Sequence, residues 1–278
     1  MPGILGERKQ FRKLKYEAIS RMIQPFVMRR RKQDVLLELP EKLEMIQYSE
    51  LEEAQKIIYL AQLEAIQNRV RDMDDYEFSR SKIEILAGIT RLRQICDTPA
   101  LFMSDYTGTS GKLKSLSELL QQIKDAGHRP LIFSQFRKMF PHIEKQLQSA
   151  GISSYQLTGS TPVKDRIKMV KAFNAGSRDA FLISLKAGGT GLNLTSADVV
   201  ILIDLWWNPS VEEQAISRAH RMGQTKTVEV IRLITRGTIE EKIMMLQDSK
   251  RDMVSTVLDG GGVDNTISRD EMKTILGI

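Results

Sequence analysis

Short apolar runs alternate with longer amphipathic stretches beyond residue 111 of this 278-residue sequence. Strands that are covered on both faces of a parallel sheet have nearly continuous apolar sequences, and helices connect them. The sequence therefore predicts an α/β fold in which a parallel sheet carries helices on both faces. We expect strands at residues 131–133, 155–158, 181–184, 199–204 and 228–234, and helices at 112–126, 137–150, 162–175, 210–221 and 238–257.

The preceding part of the chain has helical periodicity. Ala54 and Ile58 belong to one apolar stripe, residues 83–96 contain a second, and the stretch between them is polar. Pro99 is expected to end the second helix. We therefore predict two long antiparallel helices that protrude from the core, and a candidate strand at 43–48 before them.

Helix starts are indicated by local sequence. Residues 210–213 and 238–241 have the spacing of a capping box, in which a hydroxyl and a glutamate cap the helix reciprocally. Thr161 followed by Pro162 is typical of a cap with proline at the first helical position.

The net charge of +6 and the isoelectric point of about 9.3 favour a polyanionic partner weakly. Most of the excess lies in residues 1–44, with a cluster at 29–32 that is either a solvated helix face or a contact with DNA or a neighbouring lobe. No apolar run has the ~20 residues of a membrane helix, so no membrane contact is predicted. Cys96 is the single cysteine, which predicts a buried thiol in a reducing compartment, and no Cys/His cluster suggests zinc.

Polar or glycine-rich residues follow four of the predicted strands. They are Ser134-Gln135, Thr158-Gly159-Ser160, residues 184–193 and residues 204–209. Because ligands of an open parallel sheet gather at the carboxyl ends of its strands, we expect these residues to share one edge. Hydroxyls, amides and glycine N–H groups suit a phosphate backbone.

The sequence lacks the motifs that bind a nucleoside triphosphate and its metal. No G-x-x-x-x-G-K-[ST] pattern occurs among the 278 residues, nor does a D-E-x-[HD] pattern that would hold magnesium. The loop at 188–191 could still cradle phosphate through its backbone amides.

Two arginines stand out in the stretch from Gln214 to Gln224. On a continuous helix Gln214, Arg218 and Arg221 share one face, so two exposed guanidinium groups would point past the strand ends. Such a pair suits charge stabilisation on a transferring phosphoryl group. A solvated arginine face is the alternative.

Five stretches of the sequence resemble, in order, motifs IV to VI of superfamily 2 helicases in the variant of the Swi/Snf ATPases. They are residues 131–136, 155–160, 184–193, 207–209 and 214–224. Residues 25–31 and 39–42 resemble that family's connector between lobes. The resemblance implies a RecA-like fold. It assigns 1–48 to a basic connector from a first lobe, 49–104 to the helical protrusion, 105–258 to the second RecA-like lobe, and 259–278 to a hinge and short helix.

The resemblance also implies roles for individual residues. Arg218 and Arg221 match arginine fingers, and Trp207 matches a tryptophan that approaches the DNA minor groove, although a core tryptophan is the alternative. Trp206 departs from the family pattern, and His220 is interpreted as a packing residue. Further ATP contacts are implied for Gln214 and Gly189, and DNA-backbone contacts for Ser134, Gln135, Thr158, Gly159, Lys186, Gly188, Gly189 and Asn193.

The implied function is that of the C-terminal lobe of a DNA-dependent ATPase, which translocates on double-stranded DNA and remodels protein–DNA complexes. ATP and Mg²⁺ would be held mainly by the N-terminal lobe of the same protein, so these 278 residues alone are expected to be inactive. We expect a bacterial cytoplasmic protein, or a nuclear one if the source is eukaryotic. An RNA helicase half and a non-enzymatic nucleic-acid-binding module are the alternatives.

Overall fold

The computed structural model describes residues 39–185, 191–257 and 268–278. The basic cluster at 29–32, Lys186, Gly188, Gly189 and the predicted hinge at 260–262 lie outside these ranges. The division of the chain into connector, protrusion, lobe and C-terminal segment stays a prediction.

Six strands form one sheet in which every pairing is parallel, as the sequence predicts. The candidate strand at 43–48 also belongs to this sheet and pairs with the last strand over eight residues. The strands are β1 (Lys42–Ser49), β2 (Pro130–Ser134), β3 (Ser154–Leu157), β4 (Ala180–Ser184), β5 (Val199–Leu202) and β6 (Val228–Thr235), in the order β1-β6-β5-β2-β4-β3.

Eight helices are present in the described part of the chain. They are α1 (Glu53–Arg71), α2 (Asp75–Asp97), α3 (Gly111–Asp125), α4 (Phe140–Ser149), α5 (Val163–Asn174), α6 (Pro209–Ile216), α7 (Ile239–Val257) and α8 (Arg269–Leu276). The predicted helix at 210–221 therefore ends five residues early.

Two of the predicted helix starts need correction. The side chain of Asn208 caps α6 by accepting from the Ser210 N–H, because Pro209 takes the first helical position. The Thr161 hydroxyl accepts from the Thr158 N–H instead of capping α5, and Pro162 precedes that helix. At the start of α7 Thr238 accepts from the Glu240 N–H and Glu241 accepts from the Gly237 N–H, so both predicted residues cap the helix but with different partners from those of a capping box.

Helices cover both faces of the sheet, because alternate residues of the buried strands pack in opposite directions. Ile132 belongs to the core that α3 and α4 cover, whereas Leu131 and Phe133 belong to the core that α5 and α6 cover. The sheet covered on both faces confirms the α/β prediction and is the RecA-like arrangement that the family resemblance implies.

A third core joins the α1–α2 pair to α7 and α8. The pair is antiparallel, since Gln55 at the start of α1 donates to the Ile95 and Cys96 carbonyls near the end of α2. Cys96 is fully buried in this core, which confirms its predicted position.

A buried ionic cluster ties this third core to the sheet. Nζ of Lys112 lies 2.9 Å from Asp97 and 2.6 Å from Glu240, and it also donates to the Ile203 carbonyl. These contacts join α2, α3, α7 and the end of β5. Removing one member of such a cluster leaves buried charges without compensation.

We predict that Lys112→Met lowers the free energy of unfolding by about 3 to 5 kcal/mol. The matched control is Lys114→Met on the same helix, whose ion pair with Glu52 is largely exposed and should contribute less than about 1 kcal/mol. Chemical denaturation of both variants measures the difference. Equal effects would mean that the cluster does not hold the helices together.

Glu44 on the edge strand β1 is held in its ionised form. Burial raises its pKa, but Lys42 and Arg232, each 2.6 Å from the carboxylate, outweigh burial and lower the pKa to about 2. Because the pKa is lower in the folded state, this carboxylate contributes stability above about pH 4.5, and that contribution disappears as the pH falls towards 2.

Glu44→Gln is therefore expected to be less stable than the unsubstituted protein near neutral pH. The difference should narrow as the pH falls from about 4.5 towards 2, which unfolding midpoints at a series of pH values would measure. Glu50→Gln, at an exposed pair with Arg236, should show little difference at any pH. A pH-independent deficit for Glu44→Gln would contradict the electrostatic explanation.

Candidate functional site

Polar residues after β2 and β3, together with Trp207 after β5, lie at one edge of the sheet because all strands run in the same direction. We call this set, Ser134, Gln135, Thr158, Gly159 and Trp207, the carboxyl rim. The sequence prediction of a shared edge is thus confirmed for these five residues, but not for Asn193, which lies elsewhere as described below.

Asp204 organises the part of the rim that follows β2. Its carboxylate accepts from the Ser134 hydroxyl (2.5 Å), from the Gln135 backbone N–H (3.2 Å) and from the Gln135 side-chain amide (2.5 Å). Burial raises the pKa of Asp204, and Arg93, Ser134 and Gln135 oppose that rise by favouring the charged form. Ser134 is itself fully buried, so a direct phosphate contact from its hydroxyl requires another conformation.

The loop after β3 is open to solvent. Gly159 is exposed, and the hydroxyls of Thr158 and Ser160 lie 2.9 Å apart. The Arg166 guanidinium donates to the carbonyls of Gly159 (3.0 Å) and Thr161 (2.7 Å), which fixes the loop against the first turn of α5. Backbone and hydroxyl groups are therefore presented in a defined arrangement.

The two tryptophans have different surroundings. Trp206 packs against the core beneath α6, and its backbone N–H donates to the buried carboxylate of Glu212 (2.9 Å). Trp207 is half-buried, and its ring lies 5.0 Å from the guanidinium carbon of Arg93. Both tryptophans are partly exposed and pack against a core, Trp206 against the one beneath α6 and Trp207 against the third core, and Trp207 is the one that contacts Arg93 at the rim.

Arg218 and Arg221 follow α6 in a turn of residues 217–224, which we call the arginine turn. The expected continuous helix is wrong because the chain tightens after Ile216, where the Arg218 N–H bonds to the Ala215 carbonyl. Gly223 then adopts a φ of 94°, and the buried Gln224 amide donates to the Ala197 carbonyl (2.8 Å). Gly223 was the sequence signal for this turn.

The arginine turn lies towards the amino ends of the strands, not beyond their carboxyl ends as the sequence suggested. The His220 ring contacts the Pro40 carbonyl (2.8 Å) just before β1, which agrees with its predicted packing role. The arginine turn lies at this end because α6 starts at the carboxyl edge and runs back across the sheet to reach β6. Asn193 lies on the same side, since its carbonyl accepts from Asn174 at the end of α5.

The two guanidinium groups are not equally exposed. Arg218 is only 6% exposed, so the expectation of an exposed group is wrong there, and burial followed by the charge of Arg221 lowers its pKa. Arg221 is half-buried and donates to the Leu192 carbonyl (3.2 Å), while the Arg218 carbonyl accepts from the Leu194 N–H (3.0 Å). Gln214 is exposed on α6.

The structure adds Arg93, which sequence reasoning missed, and it gives a specific role to Asp204, which the sequence placed only among the polar residues at the strand ends. Arg93 and Asp204 are buried charged side chains that hold the rim together, yet one lies within an amphipathic helix and the other directly follows an apolar run. Their periodic positions among apolar residues were the available signal. In the described ranges no three His, Cys, Asp or Glu side chains are grouped as metal ligands would be. Nor does any described helix combine the length and apolarity needed to cross a bilayer.

Two family descriptions match the chain. The helicase conserved C-terminal domain matches residues 111–223, and the SNF2-related domain matches residues 5–101.

Relatives of known sequence come from animals, a yeast and bacteria. The chain is 38% identical to SWI/SNF-related matrix-associated actin-dependent regulator of chromatin subfamily A member 1 of Mus musculus, over 92% of this chain and 26% of that protein. It is 37% identical to the putative ATP-dependent helicase/translocase YwqA of Bacillus subtilis, over 92% and 28%. The chain thus spans about a quarter of the length of these curated relatives.

Solved structures give the same result. The SWI2/SNF2 ATPase C-terminal domain of Sulfolobus solfataricus is 30% identical, with a TM-score of 0.66 over 84% of this chain and 98% of that one. The SWI2/SNF2 ATPase core of the same organism, in complex with double-stranded DNA, is 31% identical, with a TM-score of 0.68 over 93% and 55%. The chain belongs to the SWI/SNF family of superfamily 2 helicase-like ATPases.

Proposed function

We propose that this chain is the C-terminal lobe of a DNA-dependent ATPase that moves along duplex DNA and remodels protein–DNA complexes. The observation that carries the proposal is the connection between two surfaces. The arginine turn is hydrogen-bonded to Leu192 and Leu194, which belong to the segment that leaves the carboxyl edge after β4. Leu185, directly after β4, donates its N–H to the Ser134 carbonyl (3.1 Å), so the connection between β4 and β5 contacts the rim at its start and the arginine turn further along.

In this proposal Arg218 and Arg221 act as arginine fingers on ATP, with Gln214 and Gly189 as further contacts. Guanidinium groups are suited to the charge that develops on a transferring phosphoryl group. The N-terminal lobe of the same protein would hold the phosphates and Mg²⁺, because the 278 residues contain no Walker motif. Two neighbouring cations in a partly buried turn support this role, since desolvation strengthens their effect on an anion.

Double-stranded DNA is the proposed partner of the carboxyl rim, and a DNA-bound protein complex is the proposed remodelling substrate. Exposed hydroxyl and glycine groups after β3, and the accessible part of Trp207, support contacts that do not depend on base sequence. Lys186, Gly188 and Gly189 are proposed as further DNA contacts, and Asn193, which lies towards the amino ends of the strands, as a contact outside the rim. From the sequence alone we further propose a bacterial cytoplasmic location.

We predict that Arg221→Ala in the complete protein lowers DNA-stimulated ATP turnover by about 10³- to 10⁵-fold while ATP binding survives. Arg221→Lys should restore little, because an ammonium group cannot reproduce the planar fork. Arg221 is a cleaner test than Arg218, whose burial adds a cost in stability. Steady-state turnover and nucleotide binding are the measurements, and exposed Arg178→Ala is the control.

Turnover near that of the unsubstituted protein would exclude Arg221 as a finger. If Arg218→Ala retained turnover as well, a non-enzymatic role for this chain would be preferred.

Trp207→Ala in the complete protein is expected to lower DNA-stimulated turnover more than basal turnover, because it removes a rim contact without touching the arginine turn. Trp206→Phe, which preserves core packing, is the control. Both rates are measured with duplex DNA and with single-stranded RNA, since stronger stimulation by RNA would favour the RNA helicase alternative. Equal loss of both rates together with a lower melting temperature would mean that Trp207 serves the core.

A further inference from the structure

Arg93 lies near the end of α2, and its side chain reaches the carboxyl rim. The guanidinium group is 1% exposed. Nη1 donates to Oε1 of Gln135 (3.1 Å), Nη2 donates to the Leu205 carbonyl, and Nη2 lies 3.8 Å from the Asp204 carboxylate. A residue of the α1–α2 pair thus enters the hydrogen-bond network of the rim.

The same guanidinium group contacts two aromatic rings. Its carbon lies 5.0 Å from the centre of the Trp207 ring and 5.5 Å from that of Phe136. Contacts between arginine and an aromatic ring gain strength when they are shielded from water. Arg93 therefore contacts Gln135 and Trp207. These are the two rim residues that are not fully buried and do not belong to the loop after β3.

We propose that Arg93 is a positioning residue for DNA binding, which holds the Gln135 amide and the Trp207 ring in the orientation that meets duplex DNA. This inference rests on the proposed DNA-binding role of the carboxyl rim. Arg93 itself is too deeply buried to touch DNA, so it acts through its two neighbours.

The Gln135 amide has one permitted orientation. Arginine can only donate hydrogen bonds, so the amide oxygen must face Arg93. The amide nitrogen then donates to Asp204 (2.5 Å) and to the Leu205 carbonyl (3.3 Å). Without the guanidinium group the oxygen would lose its partner and the amide could rotate.

The ring of Trp207 and the backbone next to it are held by different contacts. The backbone just before it is anchored, because the Trp206 N–H donates to Glu212 and the Trp206 carbonyl accepts from Gln247. The ring itself packs against the third core on one side and contacts the Arg93 guanidinium group. The end of α2 is in turn held by the pair between Asp97 and Lys112, so a shift of α2 would reach the ring.

A purely structural role for Arg93 would be neutralisation of the buried Asp204 carboxylate. Lysine could do that equally well, but it lacks both the second donor arm and the flat face. Arg93→Lys separates the two explanations. The matched control is Arg91→Lys on the same helix, because Arg91 also contacts an aromatic ring, Phe102 at 5.3 Å, but is exposed and away from the rim.

In the complete protein we expect Arg93→Lys to raise the concentration of random-sequence duplex DNA needed for half-maximal ATPase stimulation by about five- to tenfold. Basal turnover should stay within about twofold, because the arginine turn is untouched. Arg91→Lys should leave both values unchanged. Unaltered DNA dependence of Arg93→Lys, with or without a lower melting temperature, would overturn the proposal.

A spectroscopic readout tests the orientation directly. Residues 1–278 contain two tryptophans, so in a protein of these 278 residues Trp206→Phe leaves Trp207 as the one emitting ring. Adding Arg93→Lys to that background should shift Trp207 emission before DNA is added and reduce its response to DNA. Unchanged emission would contradict the proposed contact. In a Trp207→Ala background, Arg93→Lys should lose most of its effect on DNA dependence, and an undiminished effect would mean that it does not act through the ring.

A second variant covers the case in which Arg93→Lys does not fold. Arg93→Gln combined with Asp204→Asn removes both buried charges together, which avoids leaving one unpaired. We expect the same weakened DNA dependence, and normal dependence would again overturn the proposal. If Trp207→Ala and Gln135→Ala had no effect on stimulation, the proposed rim function would fail. If they had an effect and the Arg93 variants did not, only this inference would fail.

Discussion

The ion pairs of the Lys112 ammonium group with Asp97 and Glu240 are the contacts on which the packing of the helices against the sheet depends. It brings together elements that are far apart in sequence: the end of α2, the start of α3, the end of β5 and the start of α7. Arg93 and Asp204 continue the same group of buried charges towards the rim. Burial raises the pKa of both Asp97 and Asp204, and the neighbouring Lys112 and Arg93 oppose that rise. Stability and rim geometry therefore rest on one electrostatic balance.

The two candidate surfaces occupy opposite ends of the strands. The rim follows the carboxyl ends, whereas the arginine turn is attached to chain segments near the amino ends, through His220 and Gln224. Leu192 and Leu194 of the connection between β4 and β5 are hydrogen-bonded to the arginine turn. In the proposed function this connection would transmit nucleotide-dependent movements of the arginine turn to the DNA-contacting rim. A packed sheet does not deform continuously, so it would not absorb such a movement.

The sequence predicted the sheet well and the arginines poorly, for physical reasons that differ. Strands such as β2 and β5 are covered on both faces, so their apolar runs are unambiguous. The sequence pattern at 210–221 is helical throughout, but the helix ends at Ile216. The buried Gln224 amide and the positive φ of Gly223 bend the chain there, and hydrophobic periodicity does not reveal such a bend. The sequence did not predict the role of Arg93, because the partners of its buried guanidinium group, Gln135 and Asp204, are distant in sequence. Direct nucleic-acid and ATP contacts of the predicted site residues stay predictions.

Strand β1 joins the edge of the sheet through eight parallel register pairs with β6, from Lys42–Val228 to Ser49–Thr235. A pull exerted by the residues before Lys42 along the strand direction would load these hydrogen bonds in shear, so that they share the force instead of breaking one after another. The side chains of Glu44 and Lys42 add cross-links to Arg232 and Glu213 along the same edge. The edge strand is therefore a mechanically resistant attachment, able to carry tension from the preceding part of the chain into the sheet without peeling away.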